Sequence, residues 1–113
     1  MKHLRQRNIK ILSELTSYLV RIGCSDLHID FNTKGDITYI SFTSVNPDIS
    51  EKTLEDLTNQ LNMPRRQDIE EYYWALNGDD DFASELSLVG MMTDSVNINY
   101  TNDILKISLT RLK

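Results

Sequence analysis

The sequence predicts an α+β domain: a two-layer sandwich with a mainly antiparallel or mixed sheet and helices packed on one of its faces. Three observations lead there. A long amphipathic stripe opens the chain, two pairs of alternating strands lie at 27–42 and 96–109, and short helical patterns fill the interval between them. Alternation of apolar and polar residues gives a strand one dry and one wet side, so the helices are needed on the dry side only.

The opening stripe places Leu4, Ile11, Leu12, Leu15, Leu19 and Ile22 at spacings of three, four and seven, which is one face of a helix over 3–22. Gly23 stands where that helix must stop. Leu27, Ile29 and Phe31 then alternate with His28 and Asp30. After a loop at 32–36, β-branched and aromatic residues from Ile37 to Phe42 complete a hairpin in which Gly35 supplies a positive φ. Pro47 ends the second strand, and Asp48 or Ser50 caps a helix over 50–62 with Leu54, Leu57 and Leu61 inward. A second short helix over 65–76 follows Pro64 and carries Ile69, Tyr72, Tyr73 and Leu76. Residues 77–81 read as a loop and 83–93 as an apolar helix. The last hairpin sets Val96, Ile98 and Tyr100 against Leu105, Ile107 and Leu109 across 101–103.

With 113 residues, 40% of them hydrophobic and 26% charged, the chain has the makings of one globular domain over 1–113. Its one cysteine, Cys24, cannot form an internal bridge. No signal-peptide pattern or bilayer-length apolar run is visible, so a cytoplasmic protein is expected, without a membrane partner. The net charge of −5 disfavours nucleic acid as a partner, because phosphate contacts need clustered Lys and Arg. Charge is uneven along the chain, basic over 1–23 and acidic over 48–81. These stretches read as solvated helix faces, with an acidic docking surface as the alternative.

The segment Glu85-Leu86-Ser87-Leu88, followed by an apolar helix and two strands, resembles the Gly-Leu-Gly-Leu motif and closing elements of the ATP-binding domain of sensor histidine kinases and their GHKL relatives, the Bergerat-type fold. Glu14, in Glu14-Leu15-Thr16-Ser17-Tyr18-Leu19-Val20-Arg21, falls where that family carries a Glu. Ser17 or Tyr18, and Arg21, fall near its two magnesium-binding Asn. In Ser44-Val45-Asn46-Pro47-Asp48 the family's Asp-x-Gly-x-Gly has Ser44 in place of the adenine-reading Asp, and Asn46 and Asp48 in place of the glycines. The resemblance covers about 9–50 and 83–111, and the family's opening strand and helix have no counterpart. What it implies is a truncated, degenerate kinase-type fold without phosphotransfer chemistry, acting as a regulatory or protein-interaction module in signalling and needing no cofactor. Its partner would be another protein, such as a genuine ATPase or kinase; on a purely structural reading the chain is instead a subunit of a larger complex or half of a homodimer joined along 3–22, where extra Leu and Ile alternate with polar positions. Under the alternative, a remnant pocket still takes ATP and Mg²⁺, or another small anion, through Glu14, Ser44 and Ser87, with Glu14 as the water-activating base. Neither His3 nor His28 lies in the helical hairpin that a phospho-acceptor needs.

Tyr72, Tyr73 and Trp74 form the densest aromatic cluster, and consecutive helical residues cannot all face one core. Together with Asp79, Asp80 and Asp81 they are the expected interaction surface, with ordinary packing of the aromatic residues as the alternative. His28 with Asp26 and Asp30 has the strand spacing of a metal or acid/base pair, and equally that of exposed polar positions. Ser13, Ser17 and Cys24 lack the surroundings of a nucleophile. Gly90-Met91-Met92 reads as core filling.

Overall fold

A computed structural model describes residues 4–70 and 86–112. Helix α1 spans Leu4–Arg21, strands β1 and β2 span Asp26–Lys34 and Ile37–Val45, helices α2 and α3 span Glu51–Leu61 and Leu86–Met91, and strands β3 and β4 span Ser95–Thr101 and Ile104–Leu112. A further helical turn occupies 67–70. All strand pairs are antiparallel and the sheet order is β1-β2-β4-β3. The α+β two-layer expectation therefore holds. No described helix is long and apolar enough to cross a membrane.

Local chemistry sets the element ends. Gly23 has φ +97°, its N–H bonds the Val20 carbonyl at 3.1 Å, and the Cys24 N–H bonds the Leu19 carbonyl at 3.0 Å. That pair of bonds closes α1 in a Schellman motif, which needs a left-handed residue. Ser50 caps α2, its hydroxyl accepting from the Thr53 N–H at 3.1 Å. Gly35, at φ +60°, opens the β1–β2 turn, while Asn102 and Asp103, at φ 52° and 64°, form the β3–β4 turn.

Both strands of the first hairpin are longer than the sequence pattern indicates. The turn uses only two residues, since Lys34 pairs with Ile37, and residues 32–34, expected as loop, continue β1. Strand β2 runs on through Ser44 and Val45 because it is central, paired to β1 on one side and to β4 on the other. The helix expected from 65 starts at 67 instead. Tertiary contacts override the Pro64 signal there: the Arg66 N–H bonds the Met91 carbonyl at 2.9 Å, and the Arg65 side chain reaches the end of β4.

The dry face of the sheet carries Ile40 and Phe42 from β2 and Leu105, Ile107 and Leu109 from β4, all buried. Ile11, Leu15 and Leu19 of α1, Leu57 and Leu61 of α2, and Leu88, Val89 and Met92 in and after α3 pack over it. Each such side chain contributes about 1.5–3 kcal/mol on burial. The wet face shows polar residues such as Ser41, Asn97, Asn99 and Lys106.

Gly90 is where α3 meets α2. A Cβ there would collide with the Gln60 carbonyl oxygen and lie 3.0 Å from that of Leu61. Gly90→Ala should thus lower stability by about 1–3 kcal/mol in a urea titration. Away from this contact the same change would raise helix stability by about 1 kcal/mol, so a stabilised variant would contradict the α2–α3 approach.

Candidate functional site

Glu14 lies on α1 beside the core residue Leu15 and is only 7% exposed. Its carboxylate oxygen is 2.9 Å from the Lys10 ammonium, one helical turn back and equally buried. Such a carboxylate carries a counter-charge on its own helix and has little access to water. Tyr18, a turn further on, lies with its ring 5.7 Å from the Arg21 guanidinium carbon. Burial, and then Asp56 of α2, push its phenol above the ordinary value against the pull of Arg21. The positions where magnesium ligands would fall thus hold an exposed hydroxyl at Ser17, a neutral phenol and a cation.

Ser44 is fully buried at the end of β2, and its hydroxyl donates to the Asn46 side-chain oxygen. Asn46, also buried, turns its amide nitrogen to the Leu19 carbonyl at 3.5 Å, fastening this end of β2 to the end of α1. The following loop is clamped from β3. The Tyr100 hydroxyl donates to the Asn46 carbonyl at 2.7 Å and accepts from the Ile49 N–H at 3.2 Å. Between those two contacts Asp48 adopts φ +61°, a left-handed conformation that costs most side chains about 1–2 kcal/mol and is best tolerated by Asp and Asn among them. Ser87 is half-buried on α3.

Of the other candidates, His28 sits on the wet side of β1 with its Nε2 3.6 Å from an Asp26 carboxylate oxygen, both side chains well exposed. Among the described residues no group of three His, Cys, Asp or Glu is arranged to hold a metal ion. Cys24 is half-buried. Tyr72, Tyr73, Trp74 and Asp79 to Asp81 lie outside the described residues.

The sequence reading missed two features. The first is a buried ionic cluster. Glu70, taken as part of a solvated acidic face, is 1% exposed, and Arg7 and Lys10, taken as its basic counterpart, are buried too. The Glu70 Oε2 accepts from the Arg7 guanidinium at 2.7 Å and from Arg111 at 3.2 Å, while Arg65 stands 3.6 Å from Oε1. Arg111 also donates to the Met92 carbonyl at 2.6 Å. Burial drives its guanidinium below the ordinary value, the Glu70 charge opposes this, and Arg65 and Arg7 add to it. Arg65 in turn binds Asp94 at 2.6 Å and the Leu112 carbonyl at 2.6 Å. One signal was available: in the β4 pattern Leu105, Ile107, Leu109, Arg111, the arginine falls on the dry side.

The second feature is a groove of about 560 Å³ between α1 and β1, lined by Arg5, Asn8, Ile9, Leu12, Phe31 and Thr33. Comparison with family models and with curated proteins finds no match.

Removing one partner of a buried ion pair leaves uncompensated charge, at a cost of about 3–5 kcal/mol. Glu70→Gln should therefore bring the domain close to unfolding at room temperature, since whole domains are stable by only about 5–15 kcal/mol. A urea midpoint unchanged from the wild type would show that the cluster does not hold the fold.

Proposed function

We propose that this chain is a non-catalytic domain of histidine-kinase ATPase-like architecture that works in signalling by binding another protein. The observation that carries the non-catalytic part is Glu14, buried against Lys10 at 2.9 Å on the same helix. Ser44 adds to it, because a hydroxyl turned to Asn46 is committed before any adenine arrives. Charge-assisted hydrogen bonds contribute about 1.5–3 kcal/mol each, and millimolar affinity amounts to about 4 kcal/mol in total. Losing the adenine carboxylate and the magnesium ligands together removes that whole sum.

Two observations support the kinship. The element order of helix, two strands, helix, apolar helix and two strands is the order the resemblance requires. Asp48, at the place of the motif's second glycine, keeps a glycine-like backbone at φ +61°. The protein-binding part draws on Tyr72 to Trp74 and Asp79 to Asp81 in the sequence, and the cytoplasm is the compartment this reading assigns.

Isothermal titration with ATP and a non-hydrolysable analogue, with and without Mg²⁺, tests the proposal. No heat up to millimolar nucleotide is the expected result. Micromolar, magnesium-dependent binding, lost in Glu14→Gln, would overturn it.

A further inference from the structure

We propose that β1 is a dimerisation edge, at which two copies of this chain pair antiparallel about Ile29 and join their sheets into one of twice the width. The Asn46 N–H bonds the Asp103 carbonyl at 2.8 Å, so even-numbered residues of β2 turn their backbone groups to β4 and odd-numbered ones turn theirs to β1. The partners of the odd β2 residues are Asp26, His28, Asp30, Asn32 and Lys34. Leu27, Ile29, Phe31 and Thr33 consequently point their N–H and C=O groups outward, along an edge that no other strand among the described residues pairs.

Those same odd residues face the helix side, paired with Ser44, Phe42, Ile40 and Thr38 of β2. Leu27 is half-buried, but Ile29 and Phe31, unlike their partners, are uncovered, at 42% and 49% exposed. Beside them runs the groove under α1, and α1 continues the same apolar surface. Ile9 is 55% and Val20 60% exposed, and the exposed residues between them are Ser13 and Ser17, with no charge.

Charge complementarity identifies the occupant as a second copy. With the two-fold axis at Ile29, the helix side pairs Ile29 with itself and Leu27 with Phe31 of the second copy. The wet side pairs His28 with Asp30 of the second copy, twice by symmetry, and Asp26 with Asn32, while Lys34 lies diagonal to Asp26. Imidazole can donate to a carboxylate whether or not it is charged. Moving the axis to Asp30 would bring Asp26 opposite Lys34 twice but set the two Asp30 carboxylates against each other at the axis itself, and moving it to Phe31 would set His28 against Lys34. Residues with outward backbone groups meet in all three registers, and the first alone pairs His28 with a carboxylate while opposing no like charges. Pairing closes both grooves over the axis and covers Ile29, Phe31 and the neighbouring end of α1. The inference does not depend on the nucleotide question, since ATP binding would overturn the reading above and leave this edge as it is.

Sedimentation equilibrium of the full chain and its variants tests the proposal. The wild type is expected to be a dimer. Ile29→Lys should be a folded monomer by circular dichroism, because its side chain is at the rim and its N–H pairs with no strand among the described residues. His28→Glu, which opposes Asp30 with a like charge, should weaken the dimer about tenfold, and His28→Glu with Asp30→Lys should restore it. His28 is well exposed, so the charge variants keep the test valid even if Ile29→Lys fails to fold. A monomer at millimolar concentration, an open-ended polymer, or a dimer indifferent to the charge swap would each overturn the proposal.

Discussion

The Glu70 carboxylate is the point through which the separate parts of this domain are joined. Arg7 reaches it from α1, Arg111 from β4 and Arg65 from the segment after α2, and Arg111 continues to the carbonyl just past α3. Desolvating so many charges costs several kcal/mol each, and close, hydrogen-bonded geometry is what repays it. An all-apolar core tolerates repacking, whereas the Glu70 Oε2 is held at 2.7 and 3.2 Å by guanidiniums from two distant segments. The helix layer thereby acquires a defined position over the sheet.

The same economy explains the site residues. Glu14 and Ser44 are polar groups in the body of the domain, and each is satisfied by a near neighbour, Lys10 four residues back and Asn46 two residues on. In a binding site, buried polar groups await the ligand. Here they bind the chain to itself. Tyr100 does likewise in clamping the Asn46 to Ile49 loop, so that this segment is a corner joining β2, β3 and α1.

Much of the fold was legible because it rests on periodicity. Leu15 and Leu19 follow the helical period, Phe42 and Ile107 the strand period, and Gly23 and Gly35 occupy backbone positions that few other residues take. The sequence reading failed where a contact between distant segments decides the outcome. Residues 65–66 stay out of the helix because Arg65 and Arg66 are held by Met91, Asp94 and Leu112, positions far along the chain. Glu70 and Arg7 were read as solvated since charge is solvated by default, and their separation of 63 residues hides the pair from any local pattern. Candidate chemistry was legible as residue type alone: Glu14 and Ser44 could be named, but not that Lys10 and Asn46 already occupy them.

The claim at the centre of this account is that the acidic group on α1 serves structure. A double-mutant cycle of Lys10→Met and Glu14→Gln, read by urea unfolding, tests it most directly. Exposed pairs at this spacing couple by about 0.3–0.5 kcal/mol; the burial of this one predicts a coupling above 1 kcal/mol, with Glu14→Gln destabilising by itself. Additive effects, together with a Glu14→Gln variant more stable than the wild type, would be the signature of a carboxylate kept for function at a cost in stability, and would contradict the account.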